Sequence, residues 1–206
     1  MKNQKTRYNY IEFFITFQNR IFMQSTQETF LYLATFFLIY SFIGWLIDSW
    51  YKSYSYKKLC NWGFMYGPYC PIFGIPAIIM IIYLYRLNWD IWLFFFAMIL
   101  IMTFWEYMVW WWLETIFHKK YWDYSDEKLN YKGRICLKAS LTWWILSVLF
   151  VVFVHPFVEW LVAKIPVNTL GIIMMILSTL FFIDFAISTI KQLWDRFNWK
   201  AKLSVK

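Results

Sequence analysis

Five long apolar runs dominate this 206-residue chain, at roughly 30–50, 67–85, 89–113, 136–160 and 167–188. A helix rises ~1.5 Å per residue, so ~20 residues match the ~30 Å hydrocarbon layer of a bilayer. No water pairs with backbone groups inside that layer, and a helix satisfies its own. The runs therefore predict an all-α integral membrane protein, a five-span helical bundle. Pro68, Pro71, Gly74 and Pro76 interrupt the second run, which is read as a kinked full span in preference to a re-entrant segment.

Composition points the same way. With 61% hydrophobic and 16% charged residues, no water-soluble core of this size hides its apolar surface. Three regions follow: an interfacial segment at 1–29, a transmembrane domain at 30–190 and a basic tail at 191–206. In the first, Tyr10, Phe13, Phe14, Phe17 and Ile21 recur at helical spacing among polar residues, which predicts an amphipathic helix lying in the interface. That segment lacks the continuous apolar core and cleavage site of a secretory signal. The net charge of +8 is assigned to loops that touch anionic lipid, and the lipid bilayer is the expected partner. Nucleic acid is not, because no basic run carries a reading motif.

Charge also orients the spans. With five crossings, six Lys and Arg residues fall on one face and fourteen on the other. The positive-inside rule then places the amino terminus outside and the carboxyl terminus in the cytoplasm. A re-entrant second run would carry the basic loop before the fourth span outside, against the rule. Cys60, Cys70 and Cys136 lie toward the cytoplasmic side as reduced thiols, and with His118 they match no zinc spacing. No metal or cofactor is expected.

Acids in apolar helices are costly, about 2.5–3.5 kcal/mol for an Asp at a helix centre, so they turn inward. Asp48 shares a stripe with Ser41 and Gly44. Glu106 and Glu114 share one with Thr103 and Trp110, Ser140 and Ser147 line the fourth span, and Asp184 and Ser188 share a face of the fifth. Arg134 is the expected counter-charge. Two readings stand side by side: a cytoplasm-facing polar cavity for a cation, proton or polar substrate, or an Arg–carboxylate lock that fixes helix order. His155-Pro156 reads as an interfacial pair, and Trp89, Trp92, Trp110, Trp111, Trp112, Trp122 and Trp160 as interfacial belts with no ligand role.

Two loops carry more than connection requires. The first runs Asn61-Trp62-Gly63-Phe64-Met65-Tyr66-Gly67-Pro68 and on through Pro71 to Gly74. The second holds Trp122-Asp123-Tyr124-Ser125 and Gly133-Arg134-Ile135-Cys136-Leu137. Asp123 and Ser125 suit turn or capping roles. Together with Gly44-Trp45, Glu106 and Glu114, these motifs resemble the bacterial membrane protein family labelled putative ABC transporter type IV, or CmpB-like. The resemblance covers about 38–157 and leaves the amino-terminal segment and fifth span outside. Asp48 stands where that family tends to have Glu, and Trp144 where a Gly commonly follows Trp.

The resemblance implies a permease-like subunit in a bacterial cell membrane, and the residues themselves put forward Asp48, Glu106, Glu114, Asp123 and Arg134 as substrate- or ion-site candidates. Asn61, Gly63, Tyr66, Gly67, Pro68, Pro71, Gly74, Trp122, Tyr124 and Gly133 form the loop motif around them. No Gly-x-x-x-x-Gly-Lys-Ser/Thr loop is present, so an ATPase subunit would be a separate chain. The alternatives are a noncatalytic scaffold or partner-binding protein, and a membrane enzyme acting on lipid through Glu106, Glu114 or Asp123 beside Arg134.

Overall fold

The computed structural model describes residues 25–86 and 91–204. The expected interfacial helix at 10–21 lies outside them. Helix α1, Thr26–Tyr56, starts at Ser25, whose side-chain oxygen accepts from the Glu28 amide at 3.4 Å, and ends at Lys57 in a left-handed conformation. Helix α2 covers Pro71–Arg86 and α3 covers Ile91–Phe117. A short hairpin follows, β1 Asn130–Tyr131 against β2 Ile135–Cys136, antiparallel. Helix α4, Leu137–Leu149, runs through a π-helical turn, Phe150–Val154, into α5, His155–Val162. Helix α6, Val167–Ser204, closes the order.

Among the described residues, four helical stretches are long and apolar enough to cross a membrane: Thr26–Tyr56, Phe96–Phe117, Leu137–Val162 and Val167–Asn198. The second apolar run differs from expectation. Helix starts only at Pro71, because 57–70 is held as a loop by side-chain bonds, and the apolar helix Pro71–Ile82 is shorter than those four.

Helices α1 and α2 pack at van der Waals limits. A Cβ on Gly44 would overlap the Phe73 ring, and one on Gly74 would overlap Ser41 Oγ and Phe37. Close approach through small residues is how helices associate where lipid supplies no hydrophobic drive. Pro76, inside α2, cannot donate to the Ile72 carbonyl four residues back. Trp105 of α3 takes that carbonyl instead, its indole N–H donating at 3.0 Å. A sequence defect in one helix thereby becomes a tie to the next.

The chain alternates end to end. Phe36 and Tyr32 of α1 share a cluster with Val158 and Val162 of α5 and Leu170 and Met174 of α6. At the opposite end the 57–70 loop bonds to α6 near Asp184, and Arg196 of α6 donates to the Ile116 carbonyl of α3. Lys119 reaches Gln192 and Asp195 there. Both motif loops and the late part of α6 thus gather at one end of the bundle.

The side chain of His155 turns into the bundle. His155 is 0% exposed, with Nδ1 2.7 Å from the Tyr40 hydroxyl and its ring stacked on Phe150. Pro156 lacks the N–H that a regular helix needs there, and the π-helical turn just before it accommodates the missing bond. Glu159, one turn beyond His155 and 2% exposed, is buried on the same helix.

Candidate functional site

The second motif loop folds back on α3 as a polar knot. Asp123 Oδ1 accepts from the Ser125 amide at 3.0 Å and from its hydroxyl at 2.5 Å. Those two bonds hold the Asp123 carboxyl below its ordinary range. Asn130 donates to the Ser125 and Glu127 carbonyls and accepts from the Gly133 amide. Gly133 has φ +68°, and a Cβ there would lie 2.5 Å from Ser125 Oγ and 2.7 Å from Asp123 Oδ1. Only glycine fits both the angle and the space.

From this knot three groups reach α3. Trp110 donates from its indole to the Trp122 carbonyl at 2.9 Å, and Trp122 donates to the Arg134 carbonyl at 3.1 Å. Arg134 donates to Tyr107 Oη at 2.9 Å and to Glu114 Oε2 at 3.1 Å. Its guanidinium also stands 4.5 Å from the Trp110 ring centroid. Tyr124 donates to Glu106 Oε1 at 2.8 Å. Burial, then the charge and bond of Glu106, push the Tyr124 hydroxyl far above its usual range, so it stays a donor.

The first motif loop is tied to α1 and α6. Asn61 accepts from the Trp45 indole at 2.6 Å and donates to the Tyr66 carbonyl at 2.8 Å. Asp184 accepts from the Gly67 amide at 2.8 Å and the Tyr66 amide at 3.3 Å, and Ser188 takes the Tyr66 amide at 3.1 Å. A Cβ on Gly67 would sit 2.8 Å from that carboxylate. Backbone at this depth needs such partners, and α6 supplies them. Gly63, with φ +154°, passes near the Tyr69 carbonyl, and Pro68 separates these two anchored stretches from the start of α2.

The expected acids therefore do not form one cluster. Arg134 closes on Glu114, and Glu106, 3% exposed, meets Tyr124 with its second oxygen lacking a partner among the described residues. Asp184 holds a loop, and Asp123 holds a turn. Asp48 joins none of these bonds; its Oδ2 lies 3.7 Å from Cys70 Sγ, beside a cavity of about 170 Å³ walled in part by Trp62, Trp105, Trp112, Tyr121 and Trp122. Trp112 and Trp122 thus line this cavity, Trp112 while remaining partly exposed. Sequence reasoning missed Trp105 and the buried Tyr40–His155 pair with Glu159 nearby. The one available signal was the i, i+4 spacing of His155 and Glu159.

With this geometry in view, the chain belongs to the family described as "Putative ABC-transporter type IV", whose pattern matches residues 35–189. The match runs past the stretch at 38–157 and takes in the last span. No curated protein and no solved structure matches the chain. Family and apolar helices together define a multi-pass, transporter-like membrane protein.

Proposed function

We propose that the chain is a permease-like membrane subunit that passes a polar solute through a site at the loop end of the bundle. The observation that carries this reading is a pair of acids, Asp48 and Glu106, kept inside the bundle at that end. Ionisable groups inside spans are expensive and mark pathways. In this reading the end bearing both loops faces the cytoplasm, in accord with its excess of Lys and Arg. Helix α2 with its flanking loop completes a fifth crossing, the amino terminus lies outside, the carboxyl terminus lies inside, and the membrane is that of a bacterial cell. Hydrolysis of ATP falls to a separate subunit.

The test is co-purification with candidate ATPases, followed by reconstitution. Stimulated hydrolysis supports the reading, and failure of any ATPase to associate removes the ATP-driven form. A proton- or cation-coupled form predicts pH-dependent flux that Glu106→Gln abolishes.

A noncatalytic scaffold is the second reading, favoured by one observation: Arg134 is committed to Glu114 and Tyr107 and covered by the Trp110 ring, as a structural lock would be. Under it, Arg134→Gln loses the protein from the membrane, and no acid variant is folded yet inactive.

A further inference from the structure

The cavity beside Asp48 has a chemistry of its own. About half of its wall is aromatic, with Trp62, Trp105, Trp112 and Trp122 contributing indoles and Tyr121 a phenol, and most of the rest is aliphatic. No Lys or Arg lines it among the described residues, and Asp48 is the one acid on its wall. Asp48 makes no direct ion pair among the described residues: Lys52, one turn further along α1, acts on it only through charge at longer range, and its side-chain contact is the weak donor Cys70.

A carboxylate in such a place calls for a cation, since charge is buried only with a counter-charge. The walls decide which cation. An ammonium or guanidinium rich in N–H would lose hydrogen bonds to water that these rings cannot replace. A methylated ammonium has few or none to lose and is attracted by the negative faces of aromatic rings, tryptophan best. Size narrows the class further. About 170 Å³ is well below the ~300–1,000 Å³ of pockets for drug-sized ligands, so a small head fits and a bulky amphiphile does not.

We infer that this cavity binds a small methylated ammonium compound of the choline type, with Asp48 as its counter-ion and the tryptophans as its cage. The inference deepens the transport reading and rests on it only for the name of the solute.

The test uses the full chain in nanodiscs of phosphatidylglycerol, which carries no ammonium group. Binding of choline and of its neutral isostere 3,3-dimethyl-1-butanol is followed by tryptophan fluorescence and calorimetry. The expected result is saturable choline binding, at least tenfold tighter than the isostere and at least tenfold weakened in Asp48→Asn. The isostere comparison needs no variant and stands even where Asp48→Asn fails to fold. Absence of saturable choline binding, equal binding of both compounds, or unchanged binding in a folded Asp48→Asn would overturn the assignment. Choline binding without any flux would sink the transport reading and leave this one standing, and flux of another solute without choline binding would do the reverse.

Discussion

Glu106 and Tyr124 sit 18 positions apart and meet at 2.8 Å, one from a helix and one from the loop that follows it. The pair shows what a buried acid demands. Removing its donor leaves Glu106 Oε1 unsatisfied as Oε2 already is, so Tyr124→Phe is expected to destabilise by about 1–3 kcal/mol. Thermal unfolding in detergent checks this, and an unchanged midpoint would show the bond to be immaterial. Asp184 makes the same argument from the acceptor side. Its carboxylate serves two backbone amides, and Asp184→Ala should cost a similar ~1–3 kcal/mol while freeing the 57–70 loop to proteolysis. Both acids were legible in the sequence as inward-facing residues. That one meets a tyrosine and the other a backbone was not, because their partners come from distant segments.

At the level of elements, the hairpin between α3 and α4 is held by polar bonds rather than by a core. Asp123 titrates below the ordinary carboxyl range because Ser125 donates to it twice. A carboxyl whose folded value lies below its unfolded value of ~3.9 stabilises above that value and loses the effect as pH falls through the folded one. Exchange protection of the Ser125 amide should therefore hold at neutral pH and decline below about pH 4. In Asp123→Asn the decline should vanish, and persistence there would assign it to another acid. Gly133→Ala combines a left-handed angle with a Cβ overlap, and is expected to cost at least ~1–2 kcal/mol by the same thermal measurement. The motif glycines and the Asp-x-Ser turn were readable from residue type. The pairing of Trp122 with Trp110 and Arg134 was not, since indole donors show no spacing rule.

At the scale of the molecule, the two ends of the bundle differ. One is closed by apolar packing of Phe36, Val158, Val162 and Leu170; the other is tied by polar contacts between loops and the late part of α6. The end of α3 and the late turns of α6 should therefore cross-link. In a cysteine-free background, Lys119→Cys with Gln192→Cys is expected to be bridged by a short bifunctional thiol reagent, since the native side chains meet at their tips at 2.5 Å. A pair that fails to link in folded protein would displace α6 from this end and remove its support for the first motif loop.

The apolar runs by themselves determined that this chain is helical and crosses a bilayer, because the hydrocarbon layer leaves a backbone few other ways to bond. Charge along the same chain predicted that the two loops share a face, and both loops lie at one end of the bundle. Only the tertiary structure decided what each polar residue does there. Whether an acid closes on Arg134, holds up a loop as Asp184 does, or stands beside an aromatic cavity as Asp48 does depends on contacts more than a hundred residues apart in some cases. Such contacts are set by helix packing, through Gly44, Gly74 and the Trp105–Ile72 tie, and no local period along the chain encodes them.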